Sequence, residues 1–306
     1  MHFSDALVRS IKNKNSVLCV GLDPQLEKLP RFLVDRAIKE NGKSRASARQ
    51  VIVEFNRGII DAVKDLVVAV KPQLAFYEEF GPEGIEAFEE TCRYAKMQGL
   101  LVIADGKRND IGSTAEAYAR AFFEPDLFGE KQETAVDALT VNAYLGVDGV
   151  RPFLNPCSKD KGIFILVRTS NPSSGDLQNR VTVDEQISIA ELMGYFVESW
   201  GGDLLGEEGY SSVGAVVGAT HPVEAERLRE ILPQNFFLVP GYGAQGATPA
   251  DIAPCFNKDG LGALIVNARG ILYAFAEEPS MVGGEHFAEA AREATLKMKE
   301  AVNQVR

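Results

Sequence analysis

Eight short runs rich in Val, Ile and Leu, each leading through a loop into helical periodicity, predict an α/β chain closed as a (β/α)8 TIM barrel. The runs carry little polar alternation, which is how parallel strands buried on both faces read. Their rhythm also continues unbroken along 306 residues, favouring a closed barrel over an open sheet. In order they are 17–22 (VLCVGL), 66–71 (LVVAVK), 100–105 (LLVIAD), 136–142 (VDALTVN), 162–168 (GIFILVR), 213–219 (VGAVVGA), 235–240 (NFFLVP) and 261–267 (LGALIVN).

Between the runs lie amphipathic stretches that predict helices over 82–98, 113–123, 184–200 and 222–232, and the chain closes with an Ala- and charge-rich helix over 285–305. Two segments exceed what a minimal barrel needs. One spans 24–49 and includes the polar stretch KENGKSRASAR; the other spans 201–212 (GGDLLGEEGYSS). Both read as surface insertions, so residues 1–306 are expected to form a single catalytic domain.

The chain carries 32 basic and 43 acidic residues, a formal charge of −11. Such a surface repels nucleic acid and anionic lipid, so neither is an expected partner. The start MHFSDALVRS places Asp5 and Arg9 where a secretory signal needs an apolar run, and no stretch approaches a membrane span, so a cytoplasmic location is expected. Cys19, Cys92, Cys157 and Cys255 are scattered, with no C-x-x-C pair, and read as free thiols in a reducing compartment. His2 falls at a terminus expected to fray, His286 in the last helix region, and His221 before Pro222, where it reads as a helix starter. No H-E-x-x-H, G-x-S-x-G or Walker loop occurs.

The chemistry concentrates where the second and third runs end. In a barrel of this kind the C-terminal strand ends build the active site. Lys71 terminates an otherwise apolar run, so its ammonium points at the barrel mouth. Asp105 ends the next run, period-2 alternation sets Lys107 on the same side, and Asp110 follows at the start of a loop or helix. Any one of these charges reads equally well as part of a solvated ion pair worth little. Four alternating charges from adjacent strand ends would crowd into one cleft.

The stretch from Ala104 to Thr114 (ADGKRNDIGST) contains D-x-K-x-x-D and resembles the orotidine 5'-phosphate decarboxylases. The resemblance spans almost the whole chain. It takes in Gly21-Leu22-Asp23, Lys71, Thr140-Val141-Asn142, the segment from Arg168 to Pro172, the 240–246 loop and the segment from Val266 to Gly270. The long inserts are similar to the larger bacterial subfamily. The resemblance implies that Lys107 donates a proton to pyrimidine C6 as carbon dioxide leaves, with Asp105 beside the departing carboxylate. Lys71 and Asp110 would complete the charge network without metal or cofactor. It further implies a homodimer, with Asp110 and Thr114 reaching across the interface, and Asp23 on the ribose hydroxyls together with Lys71. Ser170 would bond the pyrimidine edge, although as chemistry alone Ser-Asn-Pro is as readily a turn former.

Gly241, Gly243 and Gly246 in 240–246 (PGYGAQG) spell G-x-G-x-x-G, which raises a dinucleotide-binding loop. That fingerprint wants an acidic residue after the next strand, and here the strand leads into Arg269 instead. Barrels commonly bind phosphate through the loops after strands seven and eight, glycines letting backbone N–H groups approach the oxygens. By resemblance, Gly243, Gln245 and Arg269 would then hold the phosphate of a nucleotide substrate; a plain tight turn beside a surface Arg is the bland alternative. Two other readings stay open. One is a metal-dependent hexulose-phosphate synthase or ketogulonate-phosphate decarboxylase, which shares D-x-K-x-x-D but carries an acidic residue where Lys71 stands. The other is a barrel that binds a phosphorylated ligand without altering it.

Overall fold

The computed structural model describes residues 1–132, 134–243, 245–276 and 284–306; Ala244 of the glycine-rich loop lies outside them. Among the described residues eight parallel strands close a barrel in simple chain order. They are β1 (Leu18–Leu22), β2 (Ala69–Pro72), β3 (Leu101–Arg108), β4 (Ala138–Val141), β5 (Gly162–Arg168), β6 (Ser211–Val217), β7 (Asn235–Val239) and β8 (Ala263–Asn267). One strand falls within or across each predicted run. Every residue of β1, β2, β4, β6 and β7 is buried, the physical reason those runs lack alternation.

The surrounding helices are α1 (Phe3–Lys14), α2 (Arg31–Asn41), α3 (Arg45–Val63), α4 (Pro82–Met97), α5 (Gly112–Phe123), α6 (Val147–Leu154), α7 (Ile189–Gly201), α8 (Pro222–Ile231) and α9 (Phe287–Asn303). No described helix is long and apolar enough to cross a membrane. The helix expected over 184–200 begins later, because Ser188 and Glu191 form a reciprocal capping box: Glu191 N–H donates to Ser188 Oγ (3.1 Å) and Ser188 N–H to Glu191 Oε2 (2.9 Å).

The N-terminus differs from the sequence expectation. Residues 3–14 form a helix whose Phe3, Leu7, Val8 and Ile11 are buried, with Phe3 edge-on to Phe164 of β5 at 6.1 Å. His2 stands at the N-cap of that helix, its carbonyl accepting the Ala6 N–H (3.1 Å). The 201–212 insertion packs at the strand-entry end against this helix, where Asp5 accepts the Glu208 N–H (2.9 Å), so it is remote from the strand C-termini. The 24–49 insertion begins at the mouth, just after Asp23, and supplies α2 and the first turn of α3, helices packed on each other. All four cysteines are free and buried; burial pushes the Cys19 and Cys255 thiols up to about 12, which leaves them unreactive at neutral pH.

Candidate active site

Lys71 sits in β2, opposite Gly21 of β1, with its stem inside the barrel wall. Desolvating an ammonium costs several kcal/mol unless a carboxylate meets it. Asp105 of β3 does so: Lys71 Nζ donates to Asp105 Oδ2 at 2.5 Å, and both side chains are only 8% exposed. The same Oδ2 accepts Gln73 Nε2 (3.0 Å), while Oδ1 accepts Lys107 Nζ (2.6 Å) and Thr140 Oγ1 (2.8 Å). Four donors therefore saturate one buried carboxylate.

Burial alone would raise the Asp105 carboxyl. The Lys71 and Lys107 charges outweigh it and hold the group well below the ordinary carboxylate range. Burial likewise pulls Lys71 down, but Asp105 and Asp23 overcompensate and keep the ammonium above its usual value. The cluster is thus a fixed row of charges, Lys71 and Asp105 buried and the Lys107 side chain 44% exposed at the rim.

Regular alternation does not explain how Asp105 and Lys107 meet. The β3–β4 register shifts between Ala104 and Arg108, a bulge, and Lys107 takes a left-handed φ of +46°. Such a backbone costs about 1–3 kcal/mol for a non-glycine residue and needs local support. Thr140 gives it by accepting the Lys107 N–H (3.0 Å) and donating to Asp105. Arg108 continues the brace, pairing with Glu78 and donating to the Gly106 carbonyl (3.0 Å).

Asp110 does not join this row within one chain. It accepts the Ile111 N–H (2.8 Å) at the start of α5 and makes no ion pair among the described residues. Thr114 is exposed on the first turn of α5. Asp23 follows β1; its Oδ1 is buried without a hydrogen-bond partner, and burial, partly countered by Lys71, raises its carboxyl. Tyr273 fixes that segment, donating to the Asp23 carbonyl (2.8 Å) and accepting the Gln25 N–H (2.9 Å).

The loops after β7 and β8 lie side by side. Gly243 has a φ of +70°, and a Cβ there would sit 3.5 Å from Asn267 Nδ2. Asn267 Oδ1 accepts the Gly270 N–H (3.1 Å) as the chain turns into a short helix starting at Arg269. Gln245 and Arg269 are both exposed, and Arg269 is close enough to lower Asp23 slightly. Ser170 follows β5 and packs on Gly218 after β6.

Two members of the cluster were not assigned to it from the sequence: Gln73, and Thr140, which entered only as part of the resemblance. Each carried a signal: Gln73 lies two residues past Lys71 and so shares its side, and Thr140 is a hydroxyl in a fully buried strand. His221 stands at the N-cap of α8, as expected of a helix starter, but its ring makes no cap bond and turns to Arg168 instead (3.2 Å). Among the described residues no group of three or more His, Cys, Asp or Glu side chains is arranged to hold a metal ion.

Residues 16–279 match the model of the orotidine 5'-phosphate decarboxylase / HUMPS family. The orotidine 5'-phosphate decarboxylase of Caldicellulosiruptor bescii is 41% identical over 306 residues, covering 99% of this chain and 98% of that one. That of Rhodopirellula baltica is 43% identical over 309 residues, with 98% of each covered. The solved structure of Leishmania donovani OMP decarboxylase superposes with a TM-score of 0.74 at 32% identity, covering 100% of this chain and 98% of that one.

Proposed function

The chain belongs to the orotidine 5'-phosphate decarboxylase / HUMPS family, and from that premise we propose how its barrel mouth performs the reaction. The enzyme is a carboxy-lyase that converts orotidine 5'-monophosphate to UMP and carbon dioxide. The C6–carboxylate bond breaks, its electron pair stays on C6, and Lys107 Nζ delivers the proton that replaces carbon dioxide. Lys107 is left as a neutral amine and is recharged from solvent.

The observation that carries this reading is the Lys71–Asp105–Lys107 row. Asp105 is saturated by fixed donors, so its charge does not move when substrate enters. It faces the substrate carboxylate as a like charge, a contact that lapses once carbon dioxide has left. Lys107 then lies against a nascent carbanion, and bound substrate displaces the water that reaches its 44%-exposed side chain, strengthening their Coulomb attraction over that in bulk water. Lys71 keeps Asp105 ionised and, with the unpartnered Oδ1 of Asp23, offers ligands for the ribose hydroxyls. Ser170 bonds the pyrimidine edge. Gly243, Gln245 and Arg269 hold the phosphate, and the energy of that remote contact helps assemble the site around the ring.

Lys71 also separates this reading from the metal-dependent members of the same barrel group, whose acidic residue at that position serves a cation. Here an ammonium fills that place. The reading extends to a cytoplasmic homodimer in which 1–306 serves as one catalytic barrel and Asp110 and Thr114 complete a second copy's site. Its support is an apolar patch beside them: Ile111, Tyr144, Leu145 and Val147 are 53%, 75%, 45% and 37% exposed.

The test is to incubate the pure protein, stripped with a chelator, with orotidine 5'-monophosphate and follow the fall in pyrimidine absorbance. Full turnover is expected. Activity that vanishes on stripping and returns with magnesium would favour the metal-dependent reading, and no turnover under either condition would favour simple binding.

A further inference from the structure

Arg168 ends β5 with its guanidinium inside the protein; its side chain is 3% exposed. A cation so deep needs acceptors close by, and here they meet both terminal nitrogens while the buried Nε has none. NH1 donates to Ser174 Oγ (2.5 Å) and Gln178 Oε1 (3.2 Å), and NH2 reaches His221 Nδ1 (3.2 Å) and Glu224 Oε1 (3.3 Å). These partners come from two segments far apart in sequence, the turn after β5 and the start of α8.

In space, Thr169, Ser170 and Gly218, just past the C-terminal ends of β5 and β6, adjoin these segments. Gln178 Oε1 also accepts the Thr169 N–H (2.9 Å), and its Nε2 donates to Thr169 Oγ1 (2.8 Å), gripping the residue before Ser170 on both its backbone and side chain. On the other side the Arg168 carbonyl accepts the Gly218 N–H (2.7 Å). A Cβ on Gly218 would meet Ser170 Cβ, Cα and N at 2.7–2.8 Å, so only glycine lets the two backbones lie this close. One residue on, Ala219 N–H donates to the Pro240 carbonyl (2.9 Å), which opens the glycine-rich loop. A continuous chain of contacts therefore runs from Gln178 through Ser170 to the loop after β7.

We infer that Arg168 and Gln178 are positioning residues, a buried clamp that fixes Ser170 over the barrel mouth and sets how the pyrimidine edge is read. Neither touches substrate; both act through Ser170. This rests on the assignment of Ser170 to the pyrimidine edge. Gln178 is half-buried and is the better residue to change, because removing a buried cation at Arg168 risks the fold.

The test is a double-mutant cycle in kcat/KM for orotidine 5'-monophosphate with Gln178→Ala, Ser170→Ala and the double variant, alongside Gln178→Glu. Gln178→Ala should lower kcat/KM about 10-fold, the loss of a buried hydrogen-bonded hold. The double variant should be no worse than Ser170→Ala alone, because Gln178 has nothing left to position. Gln178→Glu, which still accepts from Thr169 N–H and Arg168, should recover most of the activity. Effects that multiply in the double variant, or a Gln178→Ala enzyme within twofold of wild type, would overturn the inference. A Gln178→Ala protein that does not fold leaves Gly218→Ala to decide: crowding Ser170 should cost as much as Ser170→Ala, and unchanged turnover there overturns the clamp. An inactive wild-type enzyme would remove the functional reading itself, and the clamp with it.

Discussion

Lys107 and Asp105, two positions apart in one strand, are joined at 2.6 Å between Nζ and Oδ1 across a backbone that has left regular β geometry. The bulge makes this possible. In a flat strand side chains at i and i+2 stand parallel, whereas here the left-handed Lys107 backbone turns the ammonium toward the carboxylate. Strain is thus localised at the residue assigned the proton, and the Thr140 hydroxyl and the ion pair hold it there.

Replacing that ammonium with an uncharged chain of similar length should remove turnover and spare the fold. For Lys107→Met the expected loss in kcat is about 10³-fold or more, the scale of a missing proton donor and electrostatic stabiliser together. Its Tm should stay within a few degrees of wild type, because the side chain is 44% exposed. The assay is UMP formation by absorbance; wild-type rates in this variant would end the proton-donor assignment.

The Lys71–Asp105 pair makes a prediction about pH. Asp105 is depressed below its ordinary 3.8, so its stabilisation is present above that value and drains away as pH falls through the lower folded value. Lys71 is raised above its ordinary 10.5, so its share is complete below that value and is lost only as pH rises through the higher folded value. Asp105→Asn, which strands a buried ammonium, should cost about 3–5 kcal/mol in urea unfolding at pH 7. The deficit should be flat from about pH 5 to pH 9 and shrink below about pH 4. A deficit that instead widens steadily from pH 7 to pH 5 would mean the shift has the opposite sign.

Much of this site was legible because charge is conspicuous at the end of an apolar strand. Lys71 in LVVAVK and Asp105 in LLVIAD stand out for that reason, and strand order then brings them together. The bulge was not legible, since it depends on a hydroxyl from β4 that sequence alone does not place against β3. Arg168 was visible only as part of a motif; whether a strand-ending Arg is solvated or entombed is decided by Gln178 and His221 returning from elsewhere in the chain. The helix over 3–14 could have been found, because Phe3, Leu7, Val8 and Ile11 follow helical spacing.

Arg269 offers a cleaner separation of binding from folding. It is exposed at the start of the short helix after β8, so Arg269→Ala should leave Tm nearly unchanged. Loss of a charged hydrogen bond to phosphate should lower kcat/KM about 10- to 100-fold. Inorganic phosphate should protect the wild-type enzyme against heat more than the variant. Equal protection of the two would place the anion elsewhere.

Asp110 and Lys107 allow the assembly to be tested through activity. Within one chain Asp110 bonds the Ile111 N–H and is absent from the charge row, while the apolar surface around it is exposed. If a second copy's Asp110 completes the row, Asp110→Ala and Lys107→Met homodimers should each be nearly inactive for different reasons. Unfolding the two variants together and refolding them as a mixture should generate heterodimers by random assortment. In each heterodimer one of the two sites carries both defects and the other carries neither. Half the dimers being mixed, about a quarter of all sites regain a complete set, so the mixture should recover about a quarter of wild-type activity. The counter-experiment is size-exclusion chromatography at assay concentration, where a dimer is required. A mixture no more active than its separate components, in a sample shown to contain heterodimers, would confine Asp110 to its own chain.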